Sequence, residues 1–170
     1  MVERIALTGP ESTGKTTLAQ QLAKHYRTLF VPEIARSYID QLGRSYEEKD
    51  LKIIAMHQCA EEDRLVSEAN RFLICDTDLL VIKIWSEYKY HHCDEWITDQ
   101  LKKRKPRLYL LCNIDLDWEF DPQREHPDRR EELFNLYHAV LIKMKCNYEI
   151  ISGKKELRLQ RAINAINTLK

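Results

Sequence analysis

Glycine is scarce. Only Gly9, Gly14, Gly43 and Gly153 stand in 170 residues, so glycine-rich linkers and fibrous repeats are excluded, and each glycine is expected at a special backbone position. No apolar run approaches the roughly 18 residues that span a bilayer, so no membrane partner is expected. Net charge is lacking too, with 27 basic against 27 acidic residues. Without a basic field the chain is not expected to bind nucleic acid. Five cysteines, an odd number with no C-x-x-C spacing, argue against a disulfide framework or a zinc ribbon. Cys75 and Cys112 sit in apolar runs, where cysteine acts as a small core residue. The adjacent His91, His92 and Cys93 lack a second ligand group and read as surface residues. No signal-peptide core is visible after Met1 and no internal repeat appears, so the expectation is a cytoplasmic enzyme of one domain, residues 1–170.

What is present is alternation. Short apolar runs at 4–8, 29–31, 72–75, 107–112 and 148–152 alternate with helical patterns at 15–26, 33–42, 79–88, 94–103, 129–145 and 156–169. Ser45-Tyr46-Glu47-Glu48 has the spacing of a capping box and predicts a long helix to about Asn70. Strands this short, apolar on both faces and separated by helices, predict a parallel α/β sheet.

The first strand runs into GPESTGKT, residues 9–16. This fits G-x-x-x-x-G-K-[ST] between an apolar strand and an amphipathic helix, the setting its mechanism needs. Gly9 and Gly14 let the backbone approach a phosphate. The N–H groups of the loop and helix start, from Ser12 and Thr13 through Gly14 to Thr17, can face it. Lys15 would reach the terminal phosphates, and the Thr16 hydroxyl would hold Mg²⁺. The cofactors expected are therefore ATP and Mg²⁺.

The other strand ends supply further chemistry. The third strand ends at Asp76-Thr77-Asp78, where Asp76 has the place of the Mg²⁺-holding Walker B carboxylate. Asp78 either faces the same cavity or caps the next helix. Glu33 follows the second strand, at the sheet edge where ligands bind. It can take a proton from an acceptor hydroxyl, with Arg36 one turn on as an anchor. Gln58 is the polar exception on the stripe Leu51, Ile54, Leu65, and fits either a substrate contact or an internal partner. Between the fourth strand and the next helix, the loop 117–130 carries Trp118, Arg124, Arg129 and Arg130. It has the place of a water-excluding arginine lid, with Arg124 the first choice to meet the transferring phosphoryl group. Gly153, after the fifth strand, either permits close approach of the nucleotide base or makes an ordinary turn.

Together these segments resemble the ribosylnicotinamide kinase domain of the bacterial NAD-biosynthesis regulator family. The likeness runs through GPESTGKTTL, EIARSYI, MHQ, ICDTD, DWEFDPQR and DRREELF. It implies a P-loop NTPase fold, three-layer α/β/α, with a five-stranded parallel sheet in the order 2-3-1-4-5. It also implies transfer of the ATP γ-phosphate to the 5′-hydroxyl of nicotinamide riboside. In that family an aromatic residue before the second-strand glutamate stacks on nicotinamide, whereas Pro32 stands here, leaving Trp118, Tyr38 or Tyr88 for that role. The longer regulator's adenylyltransferase and DNA-binding parts have no counterpart in these residues. The rival readings are a nucleotide-gated regulator or ATPase, and a kinase for another nucleoside or nucleotide.

Overall fold

The computed structural model describes residues 2–169. Five parallel strands form one sheet: β1 (Glu3–Thr8), β2 (Phe30–Val31), β3 (Phe72–Asp76), β4 (Leu108–Cys112) and β5 (Tyr148–Ile151), in the spatial order β2-β3-β1-β4-β5. This is the expected order. Side chains alternate across the pleat. Ile5, Leu7, Ile74 and Leu110 point to one face and pack on α1 (Lys15–Tyr26) and α7 (Lys155–Asn167). Ala6, Leu73, Cys75 and Tyr109 point to the other, covered by α3 (Glu48–Val66), α4 (Leu79–Tyr90), α5 (Glu95–Lys103) and α6 (Arg130–Lys143). Both faces are thus covered, which is why the central strands read as continuous apolar runs. β5 differs: Ile150 is half-exposed and Glu149 exposed, as suits an edge strand. Among the described residues no helix is long and apolar enough to cross a membrane.

Two element boundaries depart from expectation. The capping box of α3 is formed not by Ser45 and Glu48 but by Glu47 and Asp50, two residues later. The Glu47 N–H donates to Asp50 at 2.7 Å. Asp50 is buried and also accepts from Arg44 at 2.8 and 2.9 Å and from Tyr38 at 3.0 Å. Those three donors fix the register of the cap and hold the carboxyl well below the usual carboxylate range, the Arg44 hydrogen bonds most of all. The same helix stops at Val66, short of Asn70. Thr28 ties the intervening turn to the sheet edge by accepting the Asn70 N–H at 3.0 Å. The short helix α2 (Ile34–Leu42) ends on Gly43 at φ 67°, the left-handed cap expected of it.

Candidate active site

Parallel strands place their carboxyl ends along one edge, and β1, β2 and β3 end side by side. Leu7 pairs with Asp76, and Val31 with Cys75. The loop after β1, the Asp76 carboxylate and Glu33 after β2 therefore converge by topology alone. Against this edge lies a cleft of ≈ 690 Å³. Its floor is the loop 9–16, one wall is α2 with Glu33 and Arg36, and the opposite wall is α4 and α6.

The floor is shaped as a phosphate cradle. Ser12 (φ 55°) and Gly14 (φ 74°) are left-handed, and such alternation makes successive N–H groups converge. Gly9 sits at φ 126°, and a Cβ there would lie 2.9 Å from the Cys112 carbonyl oxygen, so only glycine fits. Lys15 folds back over the loop and donates to the carbonyls of Gly9 (3.0 Å) and Pro10 (2.6 Å). The Thr13 hydroxyl also donates to Pro10, at 2.9 Å. Thr16 and Thr17 open α1 at the cleft floor.

Asp76 is buried at 1 % exposure, and both its carboxylate oxygens lack a hydrogen-bond partner. Burial raises its pKa; the Thr16 hydroxyl and the Lys15 charge pull it partway back, yet neither oxygen completes a hydrogen bond. Such a buried, orphaned carboxylate calls for a cation. With the neighbouring Thr16 hydroxyl it makes a hard-oxygen pair that suits Mg²⁺, an ion that keeps its other positions for water and phosphate. Among the described residues no group of three or more His, Cys, Asp or Glu could hold a metal without such outside ligands.

Glu33 is the N-cap residue of α2 but makes no side-chain cap hydrogen bond. Its carboxylate meets Arg36 only at 3.9 Å. Burial is the largest cause raising its pKa, opposed by Lys15 and reinforced by Asp76. Arg36 reaches across to the loop 117–130, donating to Asp121 at 2.7 Å.

The loop 117–130 lies over the cleft, ending in a 3₁₀ turn at Pro127–Arg129. It is fastened to the phosphate loop, to α2 through Arg36, and to α4 through Lys89, which donates to Glu125 at 3.1 Å. Glu11 accepts the N–H groups of Glu125 (3.1 Å) and His126 (3.1 Å), and Ser12 Oγ accepts that of Glu119 at 2.9 Å. Arg124 lines the cleft, donates to the Glu119 carbonyl and lies 3.4 Å from Ser12 Oγ. Trp118 does not line the cleft; its ring lies 5.9 Å from the guanidinium groups of both Arg124 and Arg130. On the far wall Val81, Ile84, Trp85 and Tyr88 present one face of α4, and Leu133 and Tyr137 one face of α6. Of the aromatic residues considered for stacking, Tyr88 is on this wall. Tyr38 instead directs its hydroxyl to Asp50.

For three residues that the sequence left between two readings, the geometry gives the internal one. Asp78 does not line the cleft. It caps α4 by accepting the Leu80 N–H at 3.0 Å, and accepts the Tyr109 hydroxyl at 2.8 Å. Burial, then the charge of Glu62, pushes its carboxyl up to about 7. Thr77 at φ 73° breaks the strand between the two aspartates, so the same-face rule for i and i+2 fails there. Gln58, 2 % exposed, donates to Glu62 at 3.3 Å and also stays out of the cleft. Gly153 has φ 100°, and its missing side chain leaves room for Leu157 of α7, 3.0 Å from where a Cβ would be. It is a packed turn beside the cleft, followed by the lining residues Lys154 and Lys155. Sequence reasoning missed Glu11, Tyr137 and Arg158. The stripe Leu133, Tyr137, Leu141 reads as ordinary core, and Glu11 occupies an unspecified motif position.

Comparison with known proteins fits this geometry. A family model described as an AAA domain matches residues 4–158. The trifunctional NAD biosynthesis/regulator protein NadR of Escherichia coli (strain K12) is 24% identical over 166 residues, covering 91% of this chain and 39% of that protein. A crystal structure of NadR in complex with NR superposes with a TM-score of 0.79 at 23% identity, covering 98% of this chain and 50% of the other. A NadR structure with NAD and AMP-PNP gives 0.74 at 22% identity, covering 98% and 49%. The chain thus spans well under half the length of this curated relative. The match over residues 4–158, with the phosphate loop at its start, makes this chain a member of the AAA domain family.

Proposed function

We propose that this protein is an ATP-dependent kinase that phosphorylates the 5′-hydroxyl of nicotinamide riboside or a closely related nucleoside. The observation that carries the reading is Glu33: a carboxylate on the cleft wall, facing the phosphate loop, with no cap bond and a raised pKa. A carboxylate there can activate either a hydroxyl or a water for attack on the γ-phosphate, and the apolar, aromatic wall opposite, with Ile84, Trp85 and Tyr88, fits a nucleoside as the acceptor. The relatives support the acceptor class, since NadR has been crystallised with NR and, separately, with NAD and AMP-PNP.

In this reading the loop amides and Lys15 bind the β- and γ-phosphates. Thr16 and Asp76 hold Mg²⁺, which supplies positive charge to the phosphate oxygens. The nucleoside lies between α2 and α4, its ring against Trp85 or Tyr88, which take the place of the aromatic residue that Pro32 replaces. Glu33 accepts the proton of the acceptor hydroxyl as its oxygen bonds to the γ-phosphorus and the bond to the β,γ-bridging oxygen breaks, releasing ADP. Arg124 neutralises charge on the migrating group, and the lid keeps water from competing as acceptor.

A phosphotransfer screen tests this. With MgATP, nicotinamide riboside is expected to give the 5′-monophosphate at a rate well above that for deoxyadenosine or thymidine monophosphate. Efficient transfer to another acceptor would reassign the substrate. ADP release that ignores every acceptor would overturn the kinase reading.

A further inference from the structure

Two arginines outside the P-loop motif, one of them also lining the cleft, hold its backbone carbonyls. Arg158, on the first turns of α7, is 4 % exposed. Its Nη2 donates to the carbonyls of Thr13 and Asn113, both at 2.9 Å, and its Nη1 to Asp115 (2.7 Å) and the Gly153 carbonyl (2.8 Å). Arg130, at the start of α6, donates through Nη2 to the Ser12 carbonyl at 2.9 Å and to the Leu116 carbonyl at 3.0 Å. The two side chains thus hold the carbonyls of two successive loop peptides, Ser12–Thr13 and Thr13–Gly14.

A trans peptide points its C=O and its N–H in opposite directions, and the described residues contain no cis bond. Holding the Ser12 carbonyl outward turns the Thr13 N–H inward. Holding the Thr13 carbonyl outward does the same for the Gly14 N–H. This orientation has a backbone cost, because Ser12 is a non-glycine residue at φ 55°.

We propose that Arg130 and Arg158 are positioning residues that preset the phosphate cradle, Arg130 aiming the Thr13 amide and Arg158 the Gly14 amide at the bound phosphate. Neither needs to touch the nucleotide's phosphates. Arg158 also joins the cradle to the loops after β4 and β5 through Asn113, Asp115 and Gly153, so the nucleotide-binding floor is one rigid unit. The inference rests on the phosphate-binding reading of the loop and is independent of the acceptor.

The test uses inorganic pyrophosphate, which needs no acceptor, so a failure to find phosphoryl transfer would not affect it. In the wild-type protein, amide NMR is expected to show the Thr13 and Gly14 resonances moving downfield on titration. Arg158→Met should lose the Gly14 shift and keep that of Thr13, with affinity weakened about tenfold or more, the scale of a lost charged hydrogen bond. Arg130→Met should show the reverse pattern. Should a methionine variant fail to fold, Arg158→Lys and Arg130→Lys should show the same selective loss at reduced size, because one ammonium cannot reproduce the forked contacts. Wild-type shifts and affinity in folded variants would overturn the proposal, as would equal loss of both amide shifts in either variant.

Discussion

Glu33→Gln is the sharpest perturbation of the proposed chemistry. The change keeps the shape and removes only the capacity to accept a proton. Little stability is at stake: Glu33 makes no cap bond, and its ion pair with Arg36 is 3.9 Å long between side chains 29% and 43% exposed. A pair of that kind contributes about 0–1 kcal/mol. The catalytic effect should be much larger. General-base assistance is worth about 10²–10⁴-fold, or roughly 3–5.5 kcal/mol in the barrier. ATP affinity should barely move, because the loop amides and Lys15 carry it. The pH profile adds an independent mark. Burial raises the Glu33 pKa above 4.5, so wild-type kcat should fall with acid on a limb above that value, and the limb should vanish in the variant. Steady-state phosphotransfer from pH 4.5 to 8.5, with nucleotide binding measured separately, reads all three quantities. A kcat within about threefold of wild type, or an unchanged acid limb, would refute the assignment of Glu33 as base.

Further predictions concern the lid and the interior. Arg124→Ala should lower kcat by about 10²–10³-fold with little change in melting temperature, and Arg124→Lys should recover part of the loss; stopped-flow and steady-state assays would show it. Gln58→Leu should leave both Michaelis constants within about twofold, because Gln58 points to Glu62 and not into the cleft; a large rise in acceptor KM would contradict this. Arg104→Ala should destabilise the protein by about 1–3 kcal/mol in urea titration. Arg104 is a 3.3 Å partner of the nearly buried Glu62, which the loss would leave with Arg4 and the Gln58 amide.

Much of this was legible in the sequence because it rests on local rules. Burial on both faces writes strands as apolar runs, and a phosphate loop needs glycine where no side chain can go, as at Gly9. The edge where chemistry collects follows from parallel strands ending together. What sequence could not show depends on a single dihedral or on distant chain crossings. Asp76 and Asp78 look equivalent until Thr77 turns left-handed and buries the second carboxylate under Tyr109. Gln58 stands on a stripe whose direction only the packed layer fixes. The anchoring of the loop by Arg158 joins residues 145 positions apart, and no spacing in α7 distinguishes that arginine from a surface one. The loop 117–130 stands out in the sequence by its arginines, but its fastening by Glu11 and Ser12 depends on backbone N–H groups that carry no residue signature.

The central claim is that the phosphate held at GPESTGKT passes to a nucleoside hydroxyl. The most direct measurement incubates the purified protein with MgATP and nicotinamide riboside and quantifies nicotinamide mononucleotide and ADP together by mass spectrometry. The account predicts that both form in equal amounts, and that both are lost in Glu33→Gln. ADP forming without the mononucleotide, at a rate indifferent to the nucleoside, would contradict it.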